Sequence, residues 1–221
     1  DPPATPPHGG PALVLRDVHA GWPGGPEVVR GWDLEVPAAG HIGVTGPSGS
    51  GKSTLLAVLA GFLPYQGTIR VGGVELRDLR GEDVRRIVGW CPQHPHVFDT
   101  SVVENVRLAR PDATDEEIAT ALAAAGLGPW LSSLPDGVDT AVGEHGSRLS
   151  AGQRQRLGLA RVLLAGHPVV LLDEPTEHLD EPTARAVASE LLTVLAGRTV
   201  VWVAHRAHGI DQVDRVVSLT D

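Results

Sequence analysis

The sequence predicts an α/β fold: a mostly parallel sheet with helices on both faces, preceded by an antiparallel β region and interrupted by a helical insertion. Three observations carry this. His41 to Thr45 reads as a buried strand that runs into a glycine-rich loop, Gly46 to Gly51, and then a helix from Lys52 to Ala60 closed by Gly61. Val169 to Leu172 is a continuous apolar run after a helical stretch, the pattern of a strand buried on both faces. Between Ser101 and Ser133 the apolar spacing turns helical, which breaks the alternation of strands and helices that otherwise calls for a parallel sheet.

The elements follow in order. Leu13 to Val18 is extended, Gly21 to Pro26 is rich in turn formers, and a second β-like run ends at Val36, so these two pieces pair antiparallel. Strand signals return at Gly67 to Leu76 and Ile87 to Trp90. In the insertion, Val102, Val106 and Ala109 share a face, and Thr114 precedes an Asp-Glu-Glu first turn as an N-cap. A helix from Ser150 to Leu164 carries Leu157, Ala160, Arg161 and Leu164 on one stripe. A helix from about Pro182 to Leu195, the strand Thr199 to Ala204 and a last strand near Val216 complete the pattern.

Composition bounds the rest. At 221 residues, 42% apolar and 20% charged, the chain can bury a core without staples. The single cysteine, Cys91, makes neither an internal disulfide nor a zinc site by itself and reads as an apolar filler at a strand end. A net charge of −9 argues against a nucleic-acid backbone as the main partner. No apolar run is long enough to span a membrane. No methionine occurs and the sequence opens with Asp1 and a Pro/Gly-rich stretch, DPPATPPHGGP, so it reads as a linker leading into a piece of a longer chain. Seventeen of the eighteen basic residues are arginine; the one lysine is Lys52, where a compact ammonium is called for rather than a planar fork.

That lysine lies in Gly46-Pro-Ser-Gly-Ser-Gly-Lys52-Ser53, the G-x-x-x-x-G-K-[ST] phosphate loop, between a predicted strand and a predicted helix as its mechanism requires. Inward amides and the helix N-terminus hold phosphates, Lys52 reaches the β- and γ-phosphates, and the Ser53 hydroxyl holds Mg²⁺. A chance match in a chain this long is on the order of 1%. Downstream, the buried strand ends in Asp173-Glu174, two acids that are costly there without a cation: Asp173 reads as the Mg²⁺-associated carboxylate and Glu174 as the acceptor of a proton from the attacking water. Between them, Leu149-Ser150-Ala151-Gly152-Gln153 opens a helix with a serine and a glycine, a second anion-binding end. If the two ends cannot face each other within one chain, two chains must pair to complete each site.

With these motifs in order, the chain from about Leu13 onward resembles the nucleotide-binding domain of an ATP-binding-cassette (ABC) transporter of the exporter type. The resemblance implies a P-loop NTPase (RecA-like) core with an N-terminal antiparallel β subdomain and an inserted α-helical subdomain at about 94–160, in a domain over 12–221 that follows a linker over 1–11. It places Trp22 on adenine and Gly46, Pro47, Ser48, Gly49, Ser50, Gly51, Lys52, Ser53 and Thr54 around ATP. Gln93, in CPQHPHVFDTSVVENV, is its Q-loop glutamine. Mg²⁺ falls to Ser53, Gln93 and Asp173, and catalysis to Glu174, Lys52 and the switch histidine His205 in VAHR. Ser150, Gly152 and Gln153 of LSAGQ reach the nucleotide of a second chain, and the D-loop, Glu177-His178-Leu179-Asp180, ends on Asp180. The implied partners are a second nucleotide-binding domain, identical or paralogous, and the transmembrane domains of the same transporter, at the cytoplasmic face of the plasma membrane, with no nucleic acid.

Three residues depart from the family pattern. Ala151 replaces the usual glycine, which leaves the anion site intact, and EHLD replaces SALD, which brings a charge and a titratable ring to the D-loop. Thr140 to Glu144 is similar to the segment by which exporter-type members sense their membrane domains. DEPTEHLD and the linker composition resemble subunits of the thiol (cysteine/glutathione) exporter needed for cytochrome bd assembly. Two other readings compete: the ATPase subunit of an importer, disfavoured by the Thr140 to Glu144 segment, and a soluble ABC ATPase acting on nucleic acid, disfavoured by the single cassette and acidic balance. Trp32, Trp90, Trp130 and Trp202 read as packing residues, and His94 and His96 as surface residues rather than metal ligands.

Overall fold

A computed structural model describes residues 10–177, 179–205 and 209–219. His178 of the D-loop and residues 1–9 of the linker lie outside the described residues. The chain forms two compact units, one of residues 1–90 with 167–221, the other of residues 91–166.

In the first unit, β1 (Leu13–Gly21) and β2 (Glu27–Val36) pair antiparallel, with register shifts that let Asp17 take a left-handed backbone at φ 50°. β3 (His41–Thr45) leads through the glycine loop into α1 (Lys52–Leu59). β4 (Gln66–Val71) and β5 (Val74–Glu75) form a hairpin within the stretch from Gly67 to Leu76 that carries strand signals. The turn is Gly72-Gly73, both at positive φ, where a side chain would be strained. A short helix absent from the sequence reading, α2 (Gly81–Ile87), precedes β6 (Val88–Cys91). After the second unit come β7 (Val169–Asp173), α7 (Glu181–Val194), β8 (Thr199–Val203) and β9 (Arg215–Ser218).

The strands sort into an antiparallel sheet of order β2-β1-β4-β5 and a five-stranded sheet of order β6-β7-β8-β3-β9, in which β7–β8, β8–β3 and β3–β9 are parallel. α1 is buried nearly all round: Leu55, Leu56, Ala57, Val58 and Leu59 join Leu13, Leu15, Val29 and Ile69 of the antiparallel sheet and Val169, Leu171, Val201 and Val203 of the parallel sheet in one core. A helix apolar on every side can only be a core element, and this one fixes the phosphate loop that precedes it.

The second unit is helical. α3 (Val102–Arg107), α4 (Asp115–Ala124), α5 (Gly128–Ser132) and α6 (Ala151–Ala165) are its α-helices, and α3 and α4 pack on α6. Thr114 caps α4 with a reciprocal box to Glu117. Ser101 bridges Ala141, flanked by Val102 N–H to Thr140 O and Val142 N–H to Thr100 O, so 140–142 is stitched to the start of α3.

The chain enters the first unit along the N-terminal edge of the parallel sheet. Gly10 N–H donates to Gly197 O, and the fully buried Thr199 hydroxyl donates to Pro11 O at 2.8 Å while accepting from Ala39 N–H at 3.0 Å. Thr199→Val keeps the shape and strands the Pro11 carbonyl, so a loss of about 1–3 kcal/mol is expected in urea unfolding; a change within error would show that this stitch carries no stability.

Candidate functional site

The site is set by strand register. Val44 of β3 lies opposite Val203 of β8, and Val203 lies opposite Asp173 of β7, so three parallel strands end level. Ligands in such sheets bind at the carboxyl ends of the strands. Here those ends deliver the Gly46 loop, the Asp173-Glu174 pair and, two residues past β8, His205.

The phosphate loop is shaped by its glycines. Gly51 at φ 100° is the N-cap of α1, and a Cβ there would lie 3.0 Å from Val29 and 3.1 Å from the Val28 carbonyl, so only glycine fits. Pro47, Ser48 and Gly49 are exposed, and nothing lies within 4 Å of a Cβ built on Gly49, which leaves the approach open. The Ser50 hydroxyl is buried with no hydrogen-bond partner, an orphan that an anion in the loop would satisfy. Lys52 is buried; its ammonium donates to Gly46 O at 2.7 Å and Pro47 O at 2.9 Å. Burial pushes its pKa down, against the charges of Glu174 and Asp173. Ser53 is exposed on the first turn of α1, and Thr54 behind it is buried. A groove of about 410 Å³ beside the loop is lined by Val28, Arg30, Trp32, Gly49, Ser50 and Leu219, among others. Trp22 stands 55% exposed where its hairpin turns, with its carbonyl accepting from Gly25 N–H.

Glu174 is the strained residue. It sits at φ 50°, a left-handed conformation costing on the order of 1–3 kcal/mol for a residue with a side chain, and is held there by its N–H to Val203 O and by Glu177 N–H to its carbonyl. Its Oε1 lies 3.2 Å from His205 Nε2. Burial, the neighbouring Glu177 carboxyl and the charge of Asp173, opposed by Lys52, push its pKa up to about 7. The sequence marked Glu177 only as a D-loop charge; the structure makes it a neighbour that tunes Glu174. Asp180 has a local role: it caps α7, its carboxylate accepting from the Thr183 N–H and hydroxyl.

The donors at this edge, the Ser53 hydroxyl and the Asp173 carboxylate, are hard oxygens, the set that suits Mg²⁺. Gln93, Ser150, Gly152 and Gln153 belong to the second unit. There Ser150 caps α6 in a reciprocal box, its Oγ accepting from Gln153 N–H and its N–H donating to Gln153 Oε1. Gly152, on the exposed first turn, has open space beyond it. Of the helices of eight or more residues, α4 and α7 carry acids in their first turn, whereas α1 and α6 carry none. Among the described helices of that length, those two ends keep their positive potential for an external anion.

A carboxyl raised by folding costs stability only when it must ionise. For Glu174 that cost is absent below its ordinary value of about 4.5, grows as pH rises and is complete above about 7. Glu174→Gln, neutral throughout, is therefore expected to raise the melting temperature of nucleotide- and cation-free protein at pH 8 and to leave it unchanged near pH 4. An equal shift at both pH values would detach the effect from ionisation.

Residues 29–177 match the family model described as ABC transporter. The chain is 38% identical over 208 residues to the glutathione/L-cysteine transport system ATP-binding/permease protein CydD of Bacillus subtilis (strain 168), covering 94% of this chain and 36% of that protein. It is 39% identical over 212 residues to the mitochondrial potassium channel ATP-binding subunit of Xenopus tropicalis, covering 94% and 31%. The solved structure of a bacterial Atm1-family ABC exporter with ATP bound superposes with a TM-score of 0.87 at 31% identity, over 95% of this chain and 37% of that one. The chain thus spans about a third of the length of these relatives. With the phosphate loop, the acidic strand end and the capped LSAGQ helix in place, the chain belongs to the ABC transporter family, as its ATP-binding domain.

Proposed function

We propose that this domain hydrolyses ATP to drive an ABC exporter, and that the exported substrate is a thiol, cysteine or glutathione. The observation that supports hydrolysis best is the convergence of Lys52, Asp173, Glu174 and His205 at one sheet edge. The thiol reading rests on the CydD relative together with DEPTEHLD. The transmembrane domains of the same transporter are the mechanical partner, and the domain works at the cytoplasmic face of the plasma membrane.

In this reading the amides of Gly46 to Thr54 cradle the phosphates, and Lys52 leaves its own loop carbonyls for the β- and γ-phosphates. Ser53, Asp173 and Gln93 would hold Mg²⁺, which would supply neutralisation of phosphate charge. Trp22 stacks on the adenine. Water attacks the γ-phosphorus, the bond to the β-phosphate oxygen breaks, and the water proton passes to the Glu174 carboxylate, giving ADP and phosphate. A base with a pKa near neutrality is well matched to that transfer. His205, against Glu174 Oε1, steadies the γ-phosphate. Ser150 and Gly152 of a second cassette, identical or paralogous, close the site from the far side, in a head-to-tail dimer with two ATP molecules between the chains.

Two outcomes test this. Lys52→Arg keeps the charge but puts a planar fork into a buried slot that holds an ammonium between two carbonyls, so ATP turnover should stay at background; near-native hydrolysis would remove the lysine from its role. Glu174→Gln should lose about 10² to 10⁴ in rate with ATP binding intact and should elute as a dimer with ATP and a monomer without it. The two-chain site would be refuted by a variant that binds ATP yet stays monomeric, alone and with a paralogous cassette.

A further inference from the structure

The second unit contains a buried polar clamp built on Asn105, in the same stretch as Gln93 but given no role by the nucleotide-site motifs, and on Arg161. Asn105 of α3 is fully buried, and its side chain makes every hydrogen bond it can. Its Nδ2 donates to Phe98 O at 3.0 Å and Ser101 O at 2.9 Å, and its Oδ1 accepts from Phe98 N–H at 3.0 Å and from an Arg161 terminal nitrogen at 2.7 Å. Arg161, on α6, extends the clamp: its Nε donates to Asn105 O at 2.7 Å, and its other terminal nitrogen donates to His96 O at 2.6 Å. Its guanidinium also lies 5.9 Å from the Phe98 ring centre.

Packing pins the same loop at two more places. A Cβ on Gly158 of α6 would lie 2.6 Å from Pro95, so the loop rests directly on the helix backbone there. Gly146, at φ 69°, would bring a Cβ to 3.1 Å from Val97, which is itself buried. Residues 95–98 are therefore fastened to the helix that Ser150 caps by a glycine contact, a three-pronged arginine and a saturated asparagine.

We infer that Asn105 and Arg161 are positioning residues for Gln93: by clamping residues 95–98 onto α6 they carry the glutamine and the Ser150 helix end on one rigid body. Gln93 stands two residues before Pro95, within about 7 Å of chain, so a shift of the clamped loop is passed to it directly along the backbone. The inference rests on the reading of Gln93 as a nucleotide-site residue. Under that reading the glutamine that meets a chain's own ATP and the serine offered to its partner's ATP shift together. The chemistry explains the residue types. The planar fork of a guanidinium spreads its donors wide enough to reach three acceptors on two segments, and a carboxamide supplies two donors and two acceptor lone pairs to a kinked loop and a neighbouring helix.

The test is a double-variant cycle on the full chain. Arg161→Lys keeps the charge but not the fork, and Asn105→Asp keeps the shape but not the donors. Circular dichroism first establishes that each variant is folded. Amide hydrogen exchange at residues 96–98 should accelerate roughly ten-fold or more in both, since Arg161→Lys removes the fork that ties His96 O to Asn105 and Asn105→Asp sets a carboxylate oxygen against the Phe98 and Ser101 carbonyls it had bonded. The kcat for Mg·ATP should fall with little change in KM, and adding Arg161→Lys to Gln93→Ala should cost nothing beyond Gln93→Ala alone. An additive cycle or unchanged exchange at 96–98 overturns the positioning role. If Gln93→Ala itself turns over ATP at the wild-type rate, the assignment of Gln93 fails first and the positioning role falls with it; a slow Gln93→Ala with an additive cycle removes the positioning role alone.

Discussion

The burial of one ammonium beside two carboxylates is the constraint around which the first unit is organised. Lys52 lies at 5% exposure, where desolvation disfavours its charge, and Glu174 is raised by the same cause. Each group makes the other tolerable, since the carboxylates restore part of the lysine's proton affinity and the lysine draws Glu174 back toward ionisation. That balance requires β3, β7 and β8 to end level to within a residue, which parallel pairing enforces through Val44, Val203 and Asp173. It also requires α1 to be immobile, and α1 is enclosed by two sheets. The apolar core and the charged edge are thus one device: the first holds the geometry that makes the second affordable.

Strain is placed at the same edge. Glu174 takes a left-handed backbone just where the strand stops, which turns the chain toward Glu177 and aims the carboxylate at His205. An extended Glu174 would continue β7 and send its side chain elsewhere. The cost falls on the residue the proposed chemistry uses, as backbone strain at functional sites commonly does.

Sequence patterning made the parts with local rules legible. The phosphate loop, the caps at Thr114 and Ser150, and the buried strands at 41–45 and 169–173 each depend on residues within a few positions of one another, and the fold class follows from their alternation. The β composition of 67–76 marks extended chain, and its division into a hairpin rests on Gly72-Gly73 alone. α2 escaped because it is seven residues long and buries only Val84, too little for a periodic signal. Asn105 and Arg161 stand 56 positions apart, and the tie between them exists only once α3 lies against α6. Nothing near Glu174 in sequence announces that Glu177 turns back toward it, because that depends on a positive φ no composition encodes.

The two helix ends left free of acids are not equivalent. At α1 the N-cap is Gly51, with no side-chain hydrogen bond to the first turn, so its amides and the unpartnered Ser50 hydroxyl are all available to phosphate. At α6 the first turn is already capped: Ser150 Oγ accepts from Gln153 N–H, and Gln153 folds back onto the Ser150 amide. What α6 still offers is the serine O–H, held in orientation by its own cap, the amides beside Gly152 and the helix dipole. The first end is therefore the stronger anion holder and the second the weaker. In the proposed two-chain site that inequality would keep nucleotide on the chain whose loop cradles it, while the opposing helix, already satisfied by its capping box, would release the γ-phosphate without leaving its capped amides unpaired.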